Sequence, residues 1–261
     1  GEILERFDNG RTGALAWQPD GELLAVGGRT AIDITDPSGT LLWQMTGHGD
    51  AGDVPARIED LAFSPDGGRL ASLSTDGTVR LWQVDADRCA PEHVLQVEGL
   101  QATSLAFSPD GGTLAVCGPG QAPELWDPAT GERQTVLEDL EGSAYGLAYA
   151  HDGALLIGTG EPVALHVVEP EGSASGAPAP LSQRPMHIAP GSGERVAVGG
   201  ENDNQVMVWD RGTDERRDLP RVPGSVGRLR WSPDETVLYG VSQGEGVLAW
   251  DDGDWRPFEL P

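Results

Sequence analysis

The stretch from Leu61 to Asp85, LAFSPDGGRLASLSTDGTVRLWQVD, decides how the whole chain is read. An apolar strand meets Ser-Pro-Asp-Gly, where proline presets φ and glycine accepts a positive φ, so the chain reverses as a tight hairpin. A second strand, LASLS from Leu70, runs to a further turn at Thr75-Asp76-Gly77. A third, TVRLWQV from Thr78, and a fourth, HVLQV from His93, complete the unit. The unit has four strands, three reversals and no helix signal.

Outward from this stretch the pattern recurs, six times in all. It reads ALAWQPDGELLAV from Ala14, LAFSPDGGRLAS from Leu61, LAFSPDGGTLAV from Leu105, LAYAHDGALLIG from Leu147, HIAPGSGERVAV from His187 and LRWSPDETVLYG from Leu229. The equivalent turn residues are Asp20, Asp66, Asp110, Asp152, Ser192 and Asp234, at intervals of 46, 44, 42, 40 and 42 residues. A period of about 43 residues suits a four-stranded blade. Length alone allows one all-β domain or two smaller ones, and the repeats point to one domain over residues 1–261. The 37 glycines and 20 prolines recur between apolar segments, so they punctuate turns rather than mark low complexity.

These residues resemble the WD-repeat family, and the resemblance runs over essentially the whole chain. The Trp-Asp pair stands at Trp126-Asp127, Trp209-Asp210 and Trp250-Asp251, becomes Trp82-Gln83 in the second repeat, and drifts to Ile34-Thr35 and Val168-Glu169 in the first and fourth. The resemblance implies an all-β fold, a β-propeller of six four-stranded WD-like repeats, with part of a seven-bladed or larger array as the alternative. The N-terminal EILERFDNG and the C-terminal WRPFELP both read as fourth strands, two candidates for one closing place.

Repeats of this family often carry a buried hydrogen-bonded set, and Gly47-His48, Ser72, Asp76 and Trp82 match it in the second repeat. An indole N–H, a hydroxyl, an imidazole and a carboxylate can satisfy one another where an unpaired polar group would be costly. No other repeat matches all four positions, so the other blades are expected to depend more on apolar packing.

The formal charge of -25 argues against non-specific binding to nucleic acid or an anionic membrane. The 17 basic residues are all arginine, and with the Ala, Gly, Asp and Pro richness this points to a GC-rich bacterial source. Cys89 and Cys117 show neither metal-ligand spacing nor a paired framework, which fits a cytoplasmic setting. No apolar run reaches transmembrane length and no signal peptide is visible.

No catalytic residue, metal or cofactor is expected. Without lysine there is no Walker phosphate loop and no Schiff base. Gly240-Val241-Ser242-Gln243-Gly244 satisfies G-x-S-x-G but falls in a strand and turn rather than before a helix, so it reads as a turn. The five histidines (His48, His93, His151, His166 and His187) lack close ligand spacing, and Asp251-Asp252-Gly253-Asp254 lacks the ligand order of a calcium loop. Trp17, Trp82, Trp126, Trp209, Trp231 and Trp250 fall at apolar repeat positions and read as core, whereas Trp43 and Trp255 stand in outer-strand segments.

Two places break the repeat. Glu169 to Pro180, EPEGSASGAPAP, reads as an extended loop. Arg211, Arg216, Arg217, Arg221, Arg228 and Arg230 stand against Asp214, Glu215 and Asp218, a local charge of +3 that reads first as neutralising the chain's own carboxylates, with contact to an acidic partner segment or neighbouring domain as the functional alternative. Arg230 also occupies an inner-strand place held by Ala16, Ala62, Ala106 and Ala148. The function expected is a protein-interaction scaffold within a larger bacterial signalling or regulatory polypeptide, its partner a protein or peptide, either an acidic segment or a neighbouring domain. The resemblance implies docking on the face built by turns between second and third strands and by those entering the inner strands. On that face stand Arg29, Asp53, Arg57, Thr75, Gln101, Thr103, Gln121, Ser143, Tyr145, Glu161, His187, Asn202, Arg228 and Gln243. Arg228, Arg230, Arg217, Arg29, Arg57, Tyr145 and His187 are the candidate partner-binding residues. The alternative is a propeller enzyme or small-molecule sensor with a site in the axial channel.

Overall fold

In the computed structural model the described residues are 14–49, 56–85, 87–97, 102–170, 179–180 as backbone, 184–200, 204–222, 224, 226–232, 234–242, 246–251 and 253–258. The N-terminal strand candidate, most of the 169–180 segment, and Asp53, Gln101, Asn202, Gln243, Gly244 and Asp252 lie outside them. Among the described residues every regular element is a strand. None is a helix long and apolar enough to cross a membrane.

The first repeat supplies β1 (Ala14–Trp17), β2 (Leu24–Gly27), β3 (Ala31–Thr35) and β4 (Leu41–Thr46). The second supplies β5 (Ile58–Phe63), β6 (Arg69–Ser74), β7 (Thr78–Asp85) and β8 (Arg88–Gln96), and the third β9 (Ser104–Phe107), β10 (Leu114–Cys117), β11 (Glu124–Trp126) and β12 (Arg133–Val136). The fourth gives β13 (Ala144–Tyr149), β14 (Leu155–Gly160), β15 (Val163–Val168) and β16 (Ala179–Pro180). The fifth gives β17 (Pro185–Pro190), β18 (Arg195–Gly200), β19 (Val206–Asp210) and β20 (Glu215–Asp218), and the sixth β21 (Val226–Trp231), β22 (Leu238–Ser242), β23 (Gly246–Trp250) and β24 (Arg256–Pro257). Each set of four pairs in chain order as one sheet, or blade.

Two details differ from the sequence reading, and a third bears it out. β8 starts at Arg88, five residues before His93, because a bulge opposite Leu81 and Trp82 lets the outer strand continue through Pro91. Ala179–Pro180 pairs with Ala164 and Leu165, so the irregular segment ends as the fourth strand of its blade. In the sixth blade the fourth place is taken by the C-terminal Arg256–Pro257.

The chain divides into two compact units, Glu2–Asp139 with blades one to three and Leu140–Pro261 with blades four to six, Gly1 grouping with the latter. Within each unit the blades bury their apolar alternation against one another. Ala25, Ile32 and Ile34 of blade one pack on Ile58, Leu61, Leu70 and Trp82 of blade two. The opposite face of blade two, with Leu73, Val79 and Leu81, packs on Phe107, Leu114 and Trp126 of blade three. In the other unit Leu156 and Leu165 meet Ile188, Val198 and Trp209, and Val206 and Leu219 meet Leu238, Leu248, Trp250 and Trp255. Middle strands such as β6 are therefore buried on both faces.

The core assignment holds for Trp82, Trp126, Trp209 and Trp250, and Trp231 packs partly buried beside them. Trp17 is the exception, 54% exposed. Its counterpart Phe63 points onto the preceding blade, whereas blade one has no preceding blade within its own unit.

The Ser-Pro-Asp turns hold themselves by hydrogen bonds. Ser64 Oγ donates to Asp66 Oδ1 at 2.6 Å, the same oxygen accepts the Gly68 N–H, and Ser64 Oγ accepts the Arg69 N–H. Ser108 with Asp110 and Ser232 with Asp234 repeat this arrangement. The serine hydroxyls, aided by the backbone donors, hold all three carboxyls below their usual range. The next turn residue is left-handed, Gly67 at φ 71° and Gly111 at φ 72°, but in blade six it is Glu235 at φ 54°. That glutamate reaches to the turn of blade five, where Ser192 replaces the usual Asp. Its Oε1 accepts from Ser192 Oγ at 2.6 Å and from the Gly193 N–H at 2.8 Å. The carboxylate missing from one turn is supplied by the next.

Candidate functional site

Blade two joins the four residues singled out in the second repeat. Trp82 Nε1 donates to Ser72 Oγ at 2.9 Å, Ser72 Oγ lies 2.8 Å from His48 Nε2, and His48 Nδ1 lies 3.0 Å from Asp76 Oδ2. A neutral imidazole carrying its proton on Nδ1 lets every group donate in one direction, from indole to hydroxyl to imidazole to carboxylate. Burial pushes the His48 pKa down and favours that neutral form. Burial raises the Asp76 carboxyl, but hydrogen bonding from Thr78 and the neighbouring His48 bring it below its usual range. Thr78 Oγ1 donates to Asp76 Oδ1 at 2.7 Å and the Gly49 N–H to Oδ2 at 3.0 Å, two members that the sequence reading missed.

The expectation that other blades rely on apolar packing needs correction for blades three and four. Glu124, buried, accepts from Trp126 Nε1 at 3.0 Å and Arg133 Nη1 at 2.9 Å. Thr159 Oγ1 lies 3.1 Å from His166 Nε2 and donates to the Pro162 carbonyl at 2.9 Å. Neither assembles all four members of the family's set, which is why matching that set alone overlooks them. A middle strand buried on both faces must satisfy whatever polar side chain it carries.

The turn face is assembled by backbone pairing within each unit. The Arg57 N–H donates to Thr75 Oγ1 and the Thr75 N–H to the Arg57 carbonyl, so the β6–β7 turn and the entry to β5 share one end of blade two. The Ile58 N–H bonds the Gly28 carbonyl, which brings the exposed Arg29 turn to the same end. Arg57 is exposed and forks onto Glu59 Oε1. In the second unit the Gly160 N–H bonds the Ser143 carbonyl, and Arg184 lies over the Tyr145 ring at 5.2 Å and 3.6 Å from Glu161. Arg184 directly precedes its inner strand as Arg57 does, so aligning strand starts would have found it. His187 is half-buried in β17 opposite Gly199. Arg228 and Arg230 are exposed on β21, and Arg230 pairs with Tyr239 in the register where Ala62 pairs with Ala71.

The arginine-rich stretch does not collect into one patch. Arg216 and Arg217 lie on β20, the outer strand of blade five, whereas Arg228 and Arg230 lie on the inner strand of blade six. Much of its charge is met within the chain. Arg211 Nη1 is 2.9 Å from Asp152, Arg216 pairs with Asp214 and lies over Trp209, Arg217 lies over Trp250 and Arg221 donates to Asn204. Sequence proximity concentrated charges that the fold then spreads from rim to inner strand.

Ser242, from the G-x-S-x-G string, is buried at the end of β22. Trp255 is buried with its Nε1 donating to the Pro220 carbonyl, and Trp43 is half-buried against the core of blades one and two. Among the described residues no three His, Cys, Asp or Glu side chains cluster closely enough to hold a metal ion.

Residues 39–83 match the family model described as WD domain, G-beta repeat, a span that includes β4 to most of β7 and the whole His48 set. A chain in the solved structure titled Crystal Structure of Mitotic Checkpoint Complex is similar over 96% of this chain and 77% of its own, with a TM-score of 0.79 at 21% identity. The fold is a six-bladed β-propeller, with a WD-type repeat at residues 39–83. Its six sheets are the blades. The propeller also resembles Periodic tryptophan protein 2 homolog of Neurospora crassa, 36% identical over 73 residues, which is 27% of this chain and 8% of that relative.

Proposed function

We propose that this propeller is a protein-interaction scaffold, with residues 1–261 serving as one domain of a larger bacterial signalling or regulatory polypeptide in the cytoplasm. It binds rather than transforms. The observation that carries the reading is the turn ends of the blades, where Arg29 and Arg57 stand together in one unit and, in the other unit, Arg184 lies over Tyr145 and Arg228 stands on an inner strand. Arginine and tyrosine are the side chains that most often anchor protein partners. Guanidinium forks suit carboxylates, which favours an acidic partner segment or neighbouring domain, on an otherwise acidic protein. Arg228, Arg230 and His187 extend this surface along the inner strands. Arg217, on an outer strand, contributes at most at the rim. The similar solved chain comes from a complex by its title, in keeping with binding.

The test replaces Arg228 and Arg230 together by Ala and measures affinity for synthetic acidic segments, and for flanking segments of the full-length gene product, across a salt series. Weaker affinity with a shallower salt dependence is expected. Wild-type affinity and salt dependence in an intact fold would refute the assignment.

A further inference from the structure

A second surface lies away from the turn face, on the outer rim of the first unit. There β4 and β8, the fourth strands of blades one and two, flank a groove of about 470 Å³. Leu42, Trp43 and Met45 line it from β4 together with the polar Gln44 and Thr46, Cys89 and Pro91 from β8, and Trp82 from β7. Its apolar lining reaches solvent, for Leu42 is 41% exposed and the adjacent Leu41 54%. Trp82 is itself 2% exposed and fixed through Ser72, so the hydrogen-bonded set of blade two braces part of this lining. β4 and β8 are edge strands of their sheets, backbone beside which an extended chain can lie.

The strands and turns that border the groove carry more acidic than basic side chains. Residues 31–46 and 78–96 carry Asp33, Asp36, Asp85, Asp87 and Glu92 against Arg80 and Arg88, with Asp33 buried against Gln44. Glu92 is paired with Arg69, and Asp85 faces Arg88 at 3.3 Å between exposed side chains, but Asp87 is exposed at the β7–β8 hairpin and Asp36 caps the β3–β4 turn. A slot that offers Leu42, Trp43 and Pro91 beside polar Gln44 and Thr46, with Asp36 and the exposed Asp87 on its bordering turns, favours a ligand that pairs an apolar side chain with positive charge.

We propose that this groove docks an extended segment of a partner protein that presents one large apolar side chain flanked by arginine or lysine. The proposal rests on the scaffold reading and adds a second, cationic class of ligand at a separate place.

The probe is a blocked synthetic peptide, Arg-Ser-Arg-Ser-Leu-Ser-Arg-Ser-Arg, with two controls, one carrying serine for the central leucine and one glutamate for every arginine. Of the two cysteines only half-buried Cys89 lines the groove, and Cys117 is fully buried, so protection of Cys89 from iodoacetamide in mildly alkaline buffer reports occupancy. The leucine peptide should slow that alkylation and neither control should. Leu42→Ser should weaken the peptide about five-fold, since only part of an apolar contact is lost. The Arg228→Ala/Arg230→Ala protein should bind the peptide as wild type does, which separates failure here from failure of the turn-face reading. Absence of protection by the leucine peptide, or equal protection by either control, overturns the proposal even if Leu42→Ser does not fold.

Discussion

Removing the imidazole of His48 should weaken blade two by an amount that its contacts define. The side chain is 1% exposed and links Asp76 at 3.0 Å to Ser72 at 2.8 Å. In His48→Ala the Ser72 hydroxyl loses its acceptor, and its remaining candidate, the Arg80 carbonyl, stands at 3.5 Å. Asp76 is less exposed to loss because Thr78 and the Gly49 N–H still donate to it. One orphaned hydroxyl, one lost charge-assisted bond and the void of a ring come to about 2–3 kcal/mol. Urea denaturation followed by tryptophan fluorescence measures the loss, and amide exchange should accelerate first in β6 and β7. A double-mutant cycle with Ser72→Ala should show coupling of about 1 kcal/mol, because each change removes the other's partner. An unchanged midpoint in His48→Ala, or strict additivity of the pair, would refute the reasoning.

Acid should probe the same group from another side. Burial holds native His48 below its usual 6.5, so its contribution is complete above about that pH and is lost as pH falls toward the native value; His48→Ala should flatten the stability curve in this window. The depressed carboxyls of Asp66, Asp110 and Asp234 contribute above about 3.8 and lose that contribution as pH falls through their native values, so Ser64→Ala with Ser108→Ala should reduce the acid sensitivity of stability. Glu235→Ala loses the inter-blade carboxylate and keeps a left-handed backbone, whereas Glu235→Gly relieves strain of about 1 kcal/mol, so thermal midpoints should order wild type above Gly above Ala; an Ala variant as stable as wild type would contradict this. Burial raises the Cys89 thiol to about 11 and raises Cys117 further, so alkylation of the folded protein should be slow and confined to Cys89.

The fold was legible wherever a local rule acts alone. Pro-Asp-Gly turns and period-two strands marked the blade because turn geometry and burial of one face are properties of a few adjacent residues. The His48 set was legible through the resemblance, since its members recur at fixed places in one repeat. Residues defined by a neighbouring blade were hidden. Glu235 looks like a mere loss of the turn glycine until its carboxylate is seen bonding Ser192 and Gly193, 43 and 42 residues earlier in the chain. Trp17 matches an apolar repeat position, yet its exposure depends on what precedes its blade. The arginine stretch was legible as charge met within the chain, but its placement was hidden for a related reason. Strand order carries Arg217 and Arg230 to opposite sides of their blades, so linear charge density did not translate into a surface patch.

The scaffold account is tested most directly by site-specific photo-crosslinking in the organism of origin. A crosslinking amino acid is placed singly at Tyr145, His187 and Arg228 on the inner strands of the second unit, and at Arg217 on an outer strand of the same unit as the comparison. The account predicts that the three inner-strand positions capture the same polypeptide and that Arg217 captures it far less. Capture that is equal at Arg217, or three inner-strand positions that never share a partner, would contradict it.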